Sequence, residues 1–335
     1  MFGFFKKKQE KEEEKTFDFK LSDLNNNVID CSNCGKEFGL DKMEPLMISK
    51  CPNCENPYFI PLKIKDYWLI QPLGGGGMGS VYKAMHYRSE KIVIAIKVLP
   101  RNAKTDQRLI HALLNEATIG KSFGKHPHLI SMIDYGLYND EYFSAMEFVE
   151  GKRLDQIIDE KEPVSQKFIL LWGLQILSAE QRIYDNGYLF RDIKPQNIII
   201  DKQGNAKLFD YGLCLSLNMA KKGNASEMIE GSPLFMPPER IIGDPEDMNS
   251  EIYSVGMILF NIFTGKTYYG STDAYNLAKK HVQSLRVANV ASRMPSNVKP
   301  DVSRIIDGMI ARSPQDRYQS YKEAATDLNG VYKSL

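Results

Sequence analysis

The chain has 335 residues, 43% of them hydrophobic, which is enough to build one large domain or two ordinary ones. Its formal net charge of +1 creates no global field, so composition gives no reason to expect nucleic acid or an anionic membrane as the main partner. No apolar run approaches the roughly 18 to 20 residues that a membrane helix needs, and the N-terminal apolar stretch is too short for a signal peptide. We therefore expect a cytoplasmic protein.

The N-terminal segment is strongly charged. Residues 6–15 read KKKQEKEEEK and show no apolar periodicity, so we predict a disordered, solvated tail over residues 1–28. Phe2, Phe4 and Phe5 precede the lysines, and such a short apolar cluster allows only weak contact with a membrane surface.

Four of the five cysteines follow, and we predict a small module over residues 29–64. Cys31 and Cys34 form one C-x-x-C pair, Cys51 and Cys54 form another, and 16 residues separate the pairs. Two such turns can present four thiolates to one tetrahedral zinc ion, and the segment resembles a zinc ribbon. The alternative is free or redox-active cysteines. The lysines between the pairs are balanced by acidic residues, so we expect a structural or protein-contact role and no nucleic-acid binding.

A glycine-rich segment comes next. Gly74, Gly76 and Gly79 have the spacing G-x-G-x-x-G, which lets a backbone approach phosphates closely. A dinucleotide site would need a helix directly after the glycines. Here the chain alternates and turns back as a second strand that ends in Lys97, which favours a hairpin covering phosphates. Glu116 follows 19 positions later on a helix-like stretch and is a candidate ion-pair partner for Lys97.

The pattern changes after Gly151, from short β-type runs to helical spacing, as in FILLWGLQILSAEQRI. We therefore predict an α+β protein with a small antiparallel β lobe carrying one helix and a larger helical lobe. No internal repeat is visible, and we predict one domain over residues 67–331.

Two motifs in the helical part carry a family resemblance. YLFRDIKPQNIII at 188–200 resembles the protein-kinase catalytic loop H-R-D-L-K-P-x-N, and FDYG at 209–212 resembles D-F-G. Together with the glycine segment and Lys97, these motifs resemble the bacterial, eukaryotic-like (Hanks-type) serine/threonine protein kinases. The resemblance implies transfer of the γ-phosphoryl group of ATP to serine and threonine hydroxyls of proteins, with autophosphorylation. A pseudokinase scaffold and a zinc-ribbon adaptor are the alternatives.

The resemblance also implies roles for single residues. Asp192 would accept the proton of the substrate hydroxyl, and Lys194 would stabilise the transferring group. Asn197 and Asp210 would hold Mg²⁺, for which oxygen ligands are suited. Lys97, held by Glu116, would pair with the phosphates. The residues implied around ATP are Leu73, Gly74, Gly76, Gly79, Val81, Ala95, Lys97, Met146, Glu147, Val149 and Ile199.

Three positions depart from the family pattern. Phe190 replaces histidine and Tyr211 replaces phenylalanine; these rings can still stack, with the tyrosine hydroxyl needing a partner if it is buried. Glu251 stands where the family has aspartate, and its longer side chain must reach the catalytic-loop amides from a shifted position, which argues for reduced activity. By the same resemblance, Glu239 would form a buried ion pair with Arg317.

Regulation is the last expectation. By resemblance, an arginine next to the catalytic aspartate, here Arg191, marks kinases that are switched by phosphorylation of the activation segment. The activation segment, which begins at Asp210, offers Ser216 and Ser226, and a phosphoserine adds roughly −1.5 to −2 charge that an arginine can bind. Ser226 is the better acceptor, because it lies in a stretch with glycine and asparagine that we expect to be mobile, whereas Ser216 lies near the metal aspartate and we expect it to be packed. The alternative is that Glu227 or Glu230 supplies the anion permanently.

Overall fold

A computed structural model describes residues 17–76, 79–223, 232–270, 274–283 and 290–335. The chain forms two compact units. The first, here called the sheet unit, comprises the chain up to Ile110 together with Tyr135–Phe148; the second, the helical unit, comprises His111–Asp134 and Val149–Leu335. A β-rich part and a larger helical part were predicted, and this division of secondary structure is confirmed.

The elements are short strands in the first part and long helices in the second. The strands are β1 (Val28–Asp30), β2 (Glu37–Gly39), β3 (Ile48–Lys50), β4 (Pro57–Phe59), β5 (Leu62–Ile64), β6 (Tyr67–Gly76), β7 (Gly79–His86), β8 (Ser89–Val98), β9 (Met132–Tyr138), β10 (Glu141–Glu147), β11 (Gly151–Arg153), β12 (Tyr188–Leu189), β13 (Ile198–Asp201), β14 (Ala206–Leu208) and β15 (Leu215–Ser216). The α-helices are α1 (Leu21–Asn25), α2 (Gln107–Ser122), α3 (Leu154–Glu160), α4 (Gln166–Asp185), α5 (Leu217–Ala220), α6 (Pro238–Ile242), α7 (Met248–Thr264), α8 (Ala274–Gln283), α9 (Pro300–Met309) and α10 (Tyr321–Lys333).

A six-stranded sheet dominates the sheet unit, with the strand order β5-β6-β7-β8-β10-β9. The β6, β7 and β8 strands pair antiparallel through short turns, as their alternating apolar residues predict. Leu69, Ala84, Ile96 and Phe143 are buried in one cluster on this sheet. The segment that precedes the sheet packs against the face that these four residues form.

The cysteine segment is continuous with this sheet. The β5 strand, which the sequence assigned to the cysteine module, pairs with β6 as the edge strand of the sheet. A second buried cluster joins Ile29, Leu40 and Ile60 of the module to Trp68 and Met85 of the sheet strands. The module and the sheet therefore share an apolar core.

The prediction of disorder over residues 1–28 is wrong for its last part. Residues 17–28 contain α1, whose Leu24 is fully buried, and Phe17 and Phe19 pack against the buried clusters. Asn25 ties this segment down, because its side chain accepts a hydrogen bond from Trp68 Nε1 at 3.2 Å. The prediction of disorder rested on the high charge density of the segment, whereas its few apolar side chains determine the structure. Residues 1–16 lie outside the described part of the chain.

The helical unit is built around two long helices. Ser165 caps the N-terminus of α4, because its hydroxyl accepts a hydrogen bond from the amide of Phe168. Every residue of Ser250–Asn261 in α7 is buried, as expected of a core helix that is covered on all sides. Two small sheets, β11-β13-β14 and β12-β15, accompany these helices; their strands lie between α4 and α7 in the chain, except β11, which precedes α3. No helix within the described ranges is long and apolar enough to span a membrane.

Candidate active site

The glycine-rich segment forms the β6–β7 hairpin. Gly74 lies opposite Val81, and Gly76 lies opposite Gly79. Gly79 has a φ of 134°, and a Cβ atom there would lie 2.7 Å from the carbonyl oxygen of Val98. Only glycine fits this close approach to the neighbouring strand. The hairpin predicted from the spacing is thus formed; its tip at Gly77 and Met78 lies outside the described residues.

The sheet aligns four of the predicted nucleotide-binding residues, Val81, Ala95, Lys97 and Met146, on one face together with Ser144. Val81 and Ser144 lie opposite Lys97 on its two neighbouring strands, and Ala95 lies opposite Met146. Directly paired residues and residues two positions apart point to the same side of a sheet, so these five side chains share a face. Lys97 is only 9% exposed, so most of its surface is shielded from water.

The other residues predicted to contact ATP or to hold Lys97 are divided between the two units. In the sheet unit, Leu73 is 38% exposed on β6, and Glu147 ends β10 opposite Ile94. In the helical unit, Glu116 is buried on α2, Ile199 lies on β13, and Val149 precedes β11.

The catalytic-loop motif forms a compact hydrogen-bonded group in the helical unit. Asp192 is 6% exposed, and its Oδ2 accepts hydrogen bonds from Lys194 Nζ and from Asn197 Nδ2, each at 2.7 Å. Asn197 Nδ2 also donates to the carbonyl oxygen of Asp192 at 3.0 Å. The other carboxylate oxygen, Asp192 Oδ1, has no hydrogen-bond partner among the described residues. One oxygen is therefore fixed while the other can accept a proton.

Electrostatics at Asp192 favour that role. Burial raises the pKa of this carboxyl above its ordinary value, and the nearby charge of Asp210 raises it further, although the hydrogen bonds from Lys194 and Asn197 oppose the shift. Asp210 itself has a φ of 71°, an uncommon backbone conformation for a residue other than glycine. The amide of Phe209 donates to the Asn197 carbonyl oxygen at 3.1 Å, which links the strand before Asp210 to the catalytic loop.

The donor set fits a magnesium ion. Because Asn197 uses its Nδ2 as donor to Asp192, its amide oxygen is left as an acceptor, and Asp210 adds a carboxylate. Amide and carboxylate oxygens are the ligands that Mg²⁺ takes in proteins.

The two aromatic departures from the family motif form one stack, as predicted. The ring of Tyr211 lies edge-on to Phe190, with 6.2 Å between centroids, and to Phe123, at 5.2 Å. The Tyr211 hydroxyl is buried and donates to the carbonyl oxygen of Ile130 at 2.7 Å. The extra oxygen is thereby satisfied.

The longer carboxylate at position 251 does reach the catalytic loop. The amide of Arg191 lies 3.2 Å from each carboxylate oxygen of Glu251. Arg240 donates to Glu251 from Nη2 at 2.8 Å and to the Arg191 carbonyl oxygen from Nη1 at 2.5 Å. Arg191 and Arg240 both contact Glu246, at 3.1 and 2.5 Å. Sequence reasoning missed Arg240 and Glu246, because no motif spacing connects them to the loop.

The predicted ion pair between Glu239 and Arg317 is confirmed. Nη1 and Nη2 of Arg317 approach the two carboxylate oxygens of Glu239 at 2.7 and 2.9 Å. The Arg317 side chain has no exposed surface, and Ser250 donates a further hydrogen bond to Glu239 at 2.6 Å. The pair joins α6 to the segment before α10.

The four cysteines of the N-terminal segment converge. The Sγ atoms of Cys31, Cys34, Cys51 and Cys54 all lie within 4.8 Å of one another, close to the spacing of ligands around one tetrahedral ion. The two cysteine pairs lie in equivalent turns. The Cys31 amide donates to the carbonyl oxygen of Lys36, and the Cys51 amide donates to the carbonyl oxygen of Asn56. Hydrogen bonds from the Asn53 side chain and the Lys36 amide lower the pKa of Cys34 to about 6. The thiol set fits a zinc ion.

The candidate phosphorylation site, Ser226, lies outside the described residues, as do Glu227, Glu230 and Gly231.

Comparison with known proteins gives a consistent match to the C-terminal four fifths of the chain. A family model described as the protein kinase domain matches residues 67–327. The chain is 32% identical to the serine/threonine-protein kinase PrkC of Bacillus subtilis over 79% of its length, and 28% identical to a probable serine/threonine-protein kinase of Clostridium perfringens over 80%. It covers only 40% and 38% of those two proteins, so it spans about two fifths of the length of these curated relatives.

Proposed function

Because the chain belongs to the protein kinase domain family, we propose that it is an active serine/threonine protein kinase. It transfers the γ-phosphoryl group of ATP to hydroxyl groups of protein substrates and of its own chain. One observation carries the proposal: Asp192 keeps one carboxylate oxygen fixed by Lys194 and Asn197 and the other free of partners among the described residues.

The proposed reaction depends mainly on placing the reactants correctly and on neutralising their charge. Phosphoryl transfer passes through a loose, anionic transition state, so a kinase acts by aligning the reactants and balancing charge. Asp192 Oδ1 accepts the hydrogen bond of the substrate hydroxyl, aims its oxygen and takes up its proton. Lys194, anchored on Oδ2, is positioned to turn its charge towards the transferred group. Asn197 and Asp210 would hold Mg²⁺, which when bound neutralises charge on the phosphates.

The glycine hairpin and Lys97 supply the nucleotide side of the reaction. Gly74, Gly76 and Gly79 let the backbone lie close to phosphates, and Lys97 pairs with them as a point charge. Val81 and Ala95, on the same face as Lys97, offer apolar surface to the adenine ring. Lys97, Asp192, Asn197 and Asp210 are all present, which favours an enzyme over a pseudokinase scaffold.

The cysteine cluster adds a structural zinc site to the proposal, as the second metal of the protein. The cluster and its neighbours, residues 29–64, form a module before the kinase domain of residues 67–331. Four thiols that stay reduced suit the cytoplasm, where disulfides are rare. We expect no nucleic-acid partner.

Transfer of labelled phosphate from ATP to a generic serine- and threonine-containing protein tests the activity. Asp192→Asn and Lys97→Met should each lower kcat by at least about 100-fold, because both groups act on transition-state geometry or charge. Both variants should unfold at the wild-type temperature. Asp301→Asn, which alters an exposed carboxylate that forms an ion pair with Arg304, is the matched control and should keep full activity.

Two results would contradict the proposal. One is substantial transfer by either variant. The other is nucleotide binding by the wild type without transfer, which would make the protein a pseudokinase scaffold. Phosphoserine or phosphothreonine in the acid hydrolysate, without phosphotyrosine, defines the acceptor class.

A further inference from the structure

The residue before the proposed catalytic base has an unusual backbone. Arg191 has a φ of 65°, in the left-handed region that residues with a Cβ atom rarely adopt. Such a conformation persists only where the surroundings fix it. Here both polar backbone groups of Arg191 are held: its amide by Glu251, and its carbonyl oxygen by Arg240. The peptide that leads into Asp192 is thus clamped from two sides.

The same network neutralises the Arg191 side chain. Nη2 of Arg191 lies 3.1 Å from Oε1 of Glu246, a carboxylate that is 5% exposed. The other oxygen of Glu246 accepts from Arg240 Nε at 2.6 Å, and Arg240 also binds Glu251. Two arginines and two glutamates therefore form a group without net charge.

The backbone of Glu246 is held in place as well. Its amide donates to the carbonyl oxygen of Ala220 at 3.0 Å, and Ala220 ends α5, the helix that follows the proposed metal ligand Asp210 along the chain. Glu246 thus connects three segments: the catalytic loop through Arg191, the start of the activation segment through Ala220, and α6 through Arg240.

Burial is what makes Glu246 effective as a counter-ion. Opposite charges that are shielded from water attract strongly, and a buried guanidinium without an anion would be costly. Burial opposes the charged form of Arg240, yet its two carboxylate neighbours raise its pKa further above the ordinary value. Arg191, whose charge is balanced by the buried carboxylate of Glu246, gains little from an added phosphate. The Nε of Arg191, which has no acceptor within the described ranges, could take one further hydrogen bond.

We infer that Glu246 is the permanent counter-ion of Arg191, so that the catalytic loop is assembled without phosphorylation of the activation segment. Arg240 and Glu246 are then positioning residues, which act on Asp192 through Arg191. This inference rests on the proposed kinase activity. The anion that balances Arg191 then comes from Glu246, which lies beyond the activation segment, and not from Ser226, Glu227 or Glu230.

The test measures kcat and KM of the full chain with a generic acceptor protein. Wild-type enzyme stripped of phosphate by a phosphatase, and Ser226→Ala, should keep kcat within about two-fold of enzyme preincubated with Mg-ATP. Glu246→Gln preserves the shape of the side chain but removes its charge. It should lower kcat at least ten-fold, with KM for ATP and acceptor within about two-fold, because Glu246 contacts neither reactant.

Two further readouts separate positioning from mere structure. Preincubation with Mg-ATP should raise kcat of Glu246→Gln several-fold while leaving the wild type unchanged, because only the variant then has an unbalanced Arg191. Glu246→Asp should recover part of the loss. Glu160→Gln, which removes the charge of a half-exposed glutamate bound to Lys152, is the matched control and should behave as wild type.

The inference is overturned if phosphate-free wild type loses most of its kcat and regains it on phosphorylation, or if Glu246→Gln keeps full kcat. The phosphatase and Ser226→Ala measurements stand even if Glu246→Gln does not fold. A wild type that transfers no phosphate in any state refutes the kinase activity itself and this inference with it, whereas activity only after phosphorylation refutes this inference alone.

Discussion

Loss of the proposed zinc site should destabilise the whole sheet unit. From the sequence alone, a kinase domain with its own core would be expected to survive removal of the cysteine module. The structure argues otherwise, because Trp68 and Met85, which belong to sheet strands, are 6% and 5% exposed under a cover that includes Ile29, Leu40 and Ile60 of the module. We therefore expect Cys51→Ser to affect stability far beyond the metal site.

The size of the effect follows from those two side chains. Full burial of a large apolar side chain contributes about 1.5–3 kcal/mol, so uncovering Trp68 and Met85 costs about 3–6 kcal/mol. With about 2–4 °C of melting temperature for each kcal/mol, the sheet unit should melt about 6–24 °C below the wild type.

The assay uses tryptophan fluorescence during a thermal scan. The chain has two tryptophans, so Trp172→Phe leaves Trp68 as the reporter of the shared cluster. Elemental analysis should find about one zinc per chain in the parent and none in Cys51→Ser. Cys214→Ser makes the same chemical change in the helical unit and should leave the Trp68 transition in place. A zinc-free variant whose Trp68 transition moves by less than about 2 °C would refute the shared-core argument.

Two predictions concern buried ionisable groups of the helical unit. Arg317→Leu should cost about 3–5 kcal/mol in urea unfolding, because it leaves Glu239 buried without its partner; a smaller loss in the double variant with Glu239→Gln would show the coupling, and additive losses would contradict it. Glu180 is fully buried without a hydrogen bond to any described residue, and burial, with the charge of Glu251 adding, raises its pKa well above the ordinary 4.5. The folded state then holds a proton that the unfolded state has released, so stability falls as the pH rises above about 4.5. Glu180→Leu should flatten this decline and add about 1–3 kcal/mol at pH 8, whereas an unchanged pH profile would show that Glu180 is not the group responsible.

The sequence predicts much of the local geometry of the candidate active site, because short motifs encode it. The spacing of Gly74, Gly76 and Gly79 specifies a hairpin whose backbone must approach its neighbours closely, and Asp192 and Asn197 are near enough in sequence for one loop to join them. The stack of Tyr211 on Phe190 was also foreseeable, since two aromatic residues replaced two others at packed positions.

What the sequence could not provide were contacts between distant segments. Glu246 and Arg240 read as ordinary surface charges near a helix start, and only the folded chain brings both to Arg191. The extent of the N-terminal tail was misjudged for a related reason. The burial of Leu24 and the partial burial of Phe17 and Phe19 depend on a sheet that begins about 40 residues later, which no local pattern reveals.

The pairing of β5 with β6 has a practical consequence for anyone who truncates this protein. A kinase domain cut at residue 67, where the family match begins, would lack Leu62–Ile64 and would leave the backbone of β6 as an open sheet edge. An unprotected edge strand invites pairing with another chain, and here the exposed strand carries Trp68 and Leu69. Such a fragment should aggregate in expression, although every residue of its proposed catalytic machinery would be intact.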